Sequence, residues 1–230
     1  MLFSSIPFLY YFLPLVLAVY FLVPRGLKNA VLFASSILFY AWGEPRFCLF
    51  MMLSNLQSYV FGRLIEKNAE NRKWSKIFLT ASVLLSLGLL GYCKYADFFI
   101  SSVNAVTGLS LKLLRVALPI GISFYTFQAI GYTVDVYRGS VSAEQRFWRY
   151  LLFISFFPQL VAGPIERSGN ILPQLQLPAR FSYERAKSGL VLMLWGYIQK
   201  MVVADRLALL ADTVYAQGGA LGGWATAAAT

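Results

Sequence analysis

The chain has 230 residues, of which 58% are hydrophobic, 17% aromatic and 13% charged. A soluble domain carries about 25% charged residues, so this composition excludes an ordinary soluble domain and favours a membrane protein. The net charge of +10 would suggest nucleic acid in a soluble protein. Here the basic residues stand between apolar segments, where lipid headgroups and cytoplasmic loops collect them. We therefore expect these basic residues to contact membrane lipid, and we expect no binding of nucleic acid.

Six charge-free apolar segments follow one another along the chain. They are Met1–Pro24, Asn29–Gly43, Phe47–Gly62, Ile77–Cys93, Val116–Val134 and Tyr150–Ile165. A hydrocarbon core is crossed by about 20 apolar helical residues, and the shorter segments reach the interface through flanking charged side chains. The first segment lacks the basic leader and cleavage site of a secretory signal, so we expect it to be retained. The sequence predicts an all-α, polytopic membrane protein whose residues 1–230 form one transmembrane domain.

The loops between these segments alternate in charge. Arg25 and Lys28 make the first loop basic, Glu44 and Arg46 cancel in the second, and residues 63–76 carry five basic and two acidic side chains. Loops rich in Lys and Arg stay in the cytoplasm. We therefore expect a multi-pass membrane protein with its N-terminus outside the cytoplasm. The two cysteines, Cys48 and Cys93, are expected to behave as small buried apolar residues.

After Cys93 this alternation weakens, because residues 94–115 are basic although the loop there should be external. One helical face of the stretch is apolar, formed by Tyr95, Phe98, Phe99, Val103 and Val106. Such a face predicts an amphipathic helix lying in the membrane interface. A tilted extension of the fourth span is the alternative interpretation.

Polar residues mark one face of the fifth apolar segment. Gln128 and Tyr132 are four residues apart and therefore share a helical face, and Asp135 and Arg138 follow at its end. An unpaired amide or carboxylate is costly in an apolar environment. Either neighbouring helices satisfy these groups by hydrogen bonds, or the face lines a substrate tunnel. On the second interpretation Gln128, Tyr132, Asp135 and Arg138 are candidate substrate-binding residues.

The end of the sixth segment cannot form a regular helix, because Pro158, Gly163 and Pro164 fall within seven residues. Irregular backbone at membrane depth is tolerated only inside protein or around a wet cavity. The pattern predicts a re-entrant or broken helix with Gln159 and Arg167 as its polar, candidate substrate-binding ends. A helix that leaves the membrane at Ala162 is the alternative.

Residues 167–186 are polar, contain two prolines and predict a cytoplasmic or interfacial loop. The apolar segment from Lys187 to Met201 follows, and we expect Asp205 and Arg206 either to pair with other chain elements or to emerge at the interface. The chain contains no histidine, no cysteine pair at metal spacing, no phosphate-binding loop and no nucleophile elbow. The residues therefore predict no metal, no cofactor and no catalytic side chain.

Four ordered motifs resemble the membrane-bound O-acyltransferase (MBOAT) family, most closely the bacterial branch that O-acetylates alginate. They are LPIGISFYTFQ at 118–128, DVYRG at 135–139, PQLVAGPIER at 158–167 and ADRL at 204–207. The resemblance implies acetyl transfer through a funnel of helices. It also implies a protein of the bacterial inner membrane, in which the external N-terminus would lie in the periplasm. The acetyl donor would be of cytoplasmic origin, and periplasmic acetyl-transfer proteins and an exported polysaccharide would accept the group.

The resemblance also implies a catalytic histidine, which can take a hydroxyl proton near neutral pH. This chain has none, so we expect an N-terminal fragment that is inactive alone, with the histidine beyond Thr230 or lost. Two other functions stay open. A transporter or flippase component would use the broken helix as a substrate site, although no inverted repeat supports it. A non-catalytic membrane subunit of a polysaccharide-export complex would need no histidine.

Overall fold

A computed structural model describes residues 3–160, 163–177 and 179–216. All regular structure in these ranges is helical, which confirms the predicted all-α class. The chain divides into two compact units, Met1–Ala179 and Arg180–Thr230. The single transmembrane domain stays a prediction.

The described part of the first unit contains α-helices in every predicted apolar segment. They are α1 (Leu13–Leu22), α2 (Lys28–Gly43), α3 (Pro45–Lys67), α4 (Arg72–Thr107), α5 (Ile122–Tyr137), α6 (Phe147–Ser155), α7 (Phe157–Leu160) and α8 (Ser168–Gln176). A π-helical turn, Pro7–Phe12, leads directly into α1. Among the described helices, α4 is long and apolar enough to cross a membrane by itself, and Pro7–Leu22 is a shorter apolar helix. The number of spans stays a prediction.

The predicted separate interfacial helix is wrong, because residues 94–107 continue α4 without a break. α4 has 36 residues and ends where Gly108 adopts a left-handed conformation with a φ of 71°. Polar side chains on this part of α4 form hydrogen bonds with the backbone of the segment that follows Gly108. Asp97 accepts the Leu114 N–H at 2.7 Å, and the Asn104 side chain bonds both backbone groups of Leu111 at 2.9 Å. The polar face therefore satisfies extended backbone of the same chain.

The main core lies where α3, α4, α5 and α6 pack together. Its fully buried large side chains include Met51, Ile65, Tyr125, Tyr132, Tyr150 and Phe153. α3 approaches α5 closely at Gly62, where an added Cβ would lie 2.7 Å from the Tyr132 ring. A residue without a side chain lets the two helices meet at that distance. Cys93 is buried in this core and Cys48 is half-buried; both are free thiols.

A second core is aromatic and joins the N-terminal helices to α7. Phe12 and Phe157 meet edge to face with ring centroids 5.3 Å apart, and Phe39 lies 5.8 Å from Phe157. Phe8 completes the group. Favourable aromatic pairs contribute about 0.5–1.5 kcal/mol beyond the area they bury. This packing fixes α7 against the π-helical turn Pro7–Phe12 and against α2.

The loop predicted for residues 167–186 is wrong in part, because it contains helix α8. Pro173 lies inside α8 and removes one helical hydrogen bond. Burial of Leu172 and Leu175 offsets that loss, because these side chains pack into the core. The C-terminal end of α8 is held by α2, since the Asn29 side chain donates to the Leu175 carbonyl at 2.5 Å.

The described part of the second unit is one helical segment made of α9 (Tyr183–Tyr197), a π-helical stretch (Ile198–Ala204) and α10 (Asp205–Ala216). At the end of the π-helical stretch the Asp205 N–H bonds the Lys200 carbonyl five residues back. The same two residues form an exposed side-chain ion pair. Asp205 therefore pairs inside its own segment.

Candidate functional site

The predicted break in the sixth segment is present and lies at Phe156, two residues before Pro158. Pro158 occupies the second position of α7, in the first turn, where its missing N–H is tolerated. In an uninterrupted helix the Phe157 N–H would bond the Phe153 carbonyl. The break separates these two groups, which leaves a buried donor and a buried acceptor in need of new partners.

Gln128 and Ser36 satisfy the two groups that the break exposes. The Gln128 Nε2 donates to the Phe153 carbonyl at 3.0 Å, and the Phe157 N–H donates to the Ser36 Oγ at 3.2 Å. Ser36 in turn donates to the Leu32 carbonyl at 2.8 Å. The Gln128 side chain therefore has a backbone partner on another helix, which is the first of the two arrangements that its polarity predicts.

Tyr132 of α5 holds the loop between α5 and α6. Its hydroxyl accepts the Glu144 N–H at 2.9 Å. Carboxylates hold the rest of that loop: Glu66 accepts the Ala143 N–H at 2.8 Å, and Glu144 accepts the N–H groups of the two residues that follow it. Three side chains thus order residues 143–146 before α6 begins. The roles of Glu66 and Glu144 were not predicted, because their partners are backbone groups that no local pattern indicates.

Asp135 and Arg138 lie at the C-terminal end of α5. The Asp135 carboxylate accepts the Ser168 hydroxyl at 2.6 Å and so fixes the first residue of α8. Arg167 immediately precedes Ser168 and is exposed. Arg138 lines a cleft of about 220 Å³ with Arg72. The DVYRG motif and the end of the PQLVAGPIER motif therefore meet at this end of the first unit.

Gln159 lies in α7, beyond the break. Its Oε1 is buried and has no hydrogen-bond partner among the described residues. Val161 and Ala162, where the alternative interpretation ended the helix, lie outside the described residues.

The six predicted site residues therefore do not form one group. The structure brings Asp135 and Arg167 to one end of α5. Gln128 and Tyr132 are buried in the core of the first unit.

A larger cleft of about 650 Å³ opens between the α5–α6 loop, the first turn of α6 and α8. Arg146, Arg149 and Glu144 are its charged lining residues, and Leu172 and Pro173 of α8 form an apolar side. In the parts of the chain that the structure describes, no three His, Cys, Asp or Glu side chains are grouped so as to hold a metal ion.

Comparison with known proteins finds relatives that match nearly the whole chain. The chain is 35% identical over 220 residues to a protein named probable alginate O-acetylase AlgI from Pseudomonas syringae. The match covers 94% of this chain and 42% of that protein. The protein of that name from Pseudomonas putida is 36% identical over 94% of this chain and 45% of its own length. A peptidoglycan O-acetyltransferase from Helicobacter pylori is 28% identical over 92% of this chain and 46% of that protein.

These matches confirm the resemblance to the alginate O-acetylation branch and are consistent with the MBOAT family. The chain spans less than half the length of each of these relatives. No family model matches the chain, and no solved structure matches it.

Proposed function

We propose that this chain is part of a membrane O-acetyltransferase that transfers an acetyl group towards an exported polysaccharide such as alginate. The observation that carries the proposal is the similarity, over 92% or more of the chain, to proteins named for O-acetylation of alginate or peptidoglycan. The acetyl donor is of cytoplasmic origin, and periplasmic acetyl-transfer proteins and the glycan accept the group. The protein crosses the bacterial inner membrane several times, with its N-terminus in the periplasm.

In this proposal the described residues hold the helices in place and border the path of the acyl group. The general base comes from outside these 230 residues. Acetyl transfer to a hydroxyl needs a group that takes the hydroxyl proton as the oxygen attacks the acyl carbonyl. No histidine is present in the 230 residues. The buried carboxylate of Glu144 already accepts two backbone N–H groups, and its place in the structure is to hold the α5–α6 loop. On its own this chain does not catalyse transfer.

The acyl group passes near the break between α6 and α7. Gln128 and Tyr132 act as positioning residues, because their polar groups hold the break and the α5–α6 loop. Gln159 supports the passage through its buried Oε1, which has no partner among the described residues. Asp135, Arg138 and Arg167 border the passage at the polar end of α5.

A chimera tests the assigned activity. The corresponding part of the Pseudomonas putida relative is replaced by residues 1–230 of this chain, and the hybrid is expressed in a strain that lacks its own alginate O-acetylase. We expect polymer-bound acetate to return. A hybrid that reaches the membrane at normal levels yet leaves the alginate without acetate would contradict the proposal.

The chain alone provides the second arm of that experiment. Expressed in the same strain without further sequence, it is expected to restore no polymer-bound acetate, because it contains no histidine. Membrane localisation, followed with an epitope tag, is the control for expression. Acetylated polymer from this strain would show that the 230 residues contain their own base.

A further inference from the structure

We propose that the 650 Å³ cleft between the α5–α6 loop and α8 binds a phosphate group carried on a small organic body. Ligand pockets commonly have volumes of about 300–1,000 Å³, so the cleft has room for more than an inorganic ion. Its charged groups come from the loop and α6, and its apolar side comes from Leu172 and Pro173. This inference is separate from the acetyl-transfer proposal, since it concerns a binding equilibrium.

The Arg149 side chain is oriented by neighbouring residues in a way that suits binding of an anion. Its guanidinium lies 5.4 Å from the centre of the Trp148 ring, and its Nη1 lies 4.0 Å from a Glu144 oxygen. The Nε–H is buried without an acceptor among the described residues. A buried donor without an acceptor is costly, and the Arg149 side chain is 28% exposed, so a shift of this side chain toward an anionic oxygen in the cleft would remove that cost. Two contacts thus orient this side chain, and its buried Nε–H has no acceptor among the described residues.

The charge balance of the cleft is positive. Arg146 and Arg149 contribute positive charge and Glu144 contributes negative charge among the lining residues. The Glu144 carboxylate is engaged by the N–H groups of Gln145 and Arg146. The cleft therefore has an excess of positive charge for an anionic ligand.

Two nearby carboxylates are also engaged by groups of the protein. Asp135 accepts the Ser168 hydroxyl, and Glu66 accepts the Ala143 N–H. Among the described residues, neither of these two carboxylates forms an ion pair with Arg146 or Arg149.

Two arginines favour phosphate over a simple carboxylate. A guanidinium presents planar, paired donors that match phosphate oxygens, and the non-bridging oxygens of one phosphate can engage two such groups at once. The phosphate can belong to a lipid headgroup or to a soluble compound. The two sources share this chemistry and differ in how the ligand reaches the cleft.

Inorganic pyrophosphate is the soluble probe. The protein is reconstituted in nanodiscs of phosphatidylcholine alone, and binding is measured by titration calorimetry against pyrophosphate and against acetate. In a second arm, nanodiscs contain phosphatidylglycerol, and lipid retained by the protein is counted by native mass spectrometry. Arg146→Gln and Arg149→Lys are the test variants. Arg25→Gln is the matched control, because Arg25 is an exposed arginine outside the cleft.

We expect binding of pyrophosphate, of phosphatidylglycerol, or of both, and about a tenfold loss with either test variant but not with the control. Arg149→Lys keeps the charge but removes the oriented Nε–H, so its effect separates geometry from charge. Arg146 is exposed, so Arg146→Gln should leave folding intact. Absence of binding in both arms, equal binding of acetate, or an equal loss with Arg25→Gln would overturn the proposal.

Discussion

Backbone groups at both ends of α6 need hydrogen-bond partners, and side chains of different chemistry supply these partners at the two ends. At its N-terminal end, carboxylates of Glu66 and Glu144 accept the backbone N–H groups of the preceding loop. At its C-terminal end, the neutral side chains of Gln128 and Ser36 take the carbonyl and the N–H that the break separates. Each end therefore depends on side chains from outside α6.

The difference follows the cost of placing charge in an apolar environment. An ionised carboxylate is expensive to bury, whereas an amide or hydroxyl costs little once it is hydrogen-bonded. The carboxylates accordingly occur at the loop end, near Arg63 and Arg149, and Ser36 bonds the backbone of Phe157 beside the aromatic core. This contrast predicts that substitutions at the two ends will differ in size and in their dependence on salt.

The largest effect is expected at Gly121, which packs the start of α5 against the segment beyond the break. Its φ is +75°, and an added Cβ would lie 2.7 Å from the Leu160 carbonyl oxygen. Gly121→Ala should therefore cost about 3 kcal/mol or more, since left-handed strain and a clash with backbone add together. The free energy of unfolding, measured by titration of the purified protein with a denaturing surfactant, checks this value.

Gly131→Ala is the matched control for that substitution. Gly131 lies inside α5, the helix that follows Gly121, and an added Cβ there would have nothing within 4 Å. Alanine is the better helix former by about 0.5–1 kcal/mol, so this variant should be neutral or slightly more stable. Equal destabilisation by the two variants would show that the approach of Gly121 to Leu160 contributes nothing.

A smaller effect is expected at the charged end of α6. Glu144→Ala leaves the N–H groups of Gln145 and Arg146 without their acceptor and should cost about 2 kcal/mol in unfolding free energy. Glu144→Gln keeps an acceptor oxygen and should cost less. Glu70 is exposed and provides the control, since Glu70→Ala should change stability by less than about 0.5 kcal/mol.

The cost of substitutions at the two ends of α6 should depend differently on salt. Arg149 is partly exposed to solvent beside Glu144, so the cost of Glu144→Gln should shrink at high ionic strength. Substitutions at the break, where the groups are neutral, should be insensitive to salt. A cost at Glu144 that does not change with salt would mean that hydrogen bonding alone accounts for its contribution.

Helix type and position can be predicted from this sequence because apolar segments and their boundaries carry strong local signals. The interruption near Pro158 is predictable for the same reason. Its position at Phe156 is not, since proline is tolerated in the first turn of α7 and the break moves ahead of that helix. α8 escapes prediction because the burial of Leu172 and Leu175 overrides the local effect of Pro173.

Hydrogen-bond partners could not be predicted from residue type alone. The polarity of Gln128 indicates that something must satisfy it. The Phe153 carbonyl becomes available only because α6 ends at Ser155, and tertiary packing then brings it to α5. The same holds for Asp97 and Asn104, whose side chains bond the backbone of Leu114 and Leu111. The spacing of polar residues along a helix does not indicate such partners.

The smallest effect is expected at the neutral end of α6. Gln128→Leu leaves the Phe153 carbonyl without its donor, and hydrogen bonds between membrane helices contribute about 0.6 kcal/mol on average and up to about 2 kcal/mol. We expect a loss of about 1 kcal/mol, independent of salt. Gln174→Leu is the control, because Gln174 is exposed and its side chain bonds its own helix.

The same substitution in a full-length relative that carries these residues separates a packing role from a role at the acyl passage. If Gln128 only closes the break, polymer-bound acetate per folded protein should stay near normal, because a loss of about 1 kcal/mol leaves most of the protein folded. If the break positions the acyl group, acetate should fall by about a hundredfold, since small displacements at a reacting centre have that effect. Normal unfolding free energy together with lost acetylation therefore supports the proposed passage, whereas lost stability with retained specific activity assigns Gln128 to helix packing.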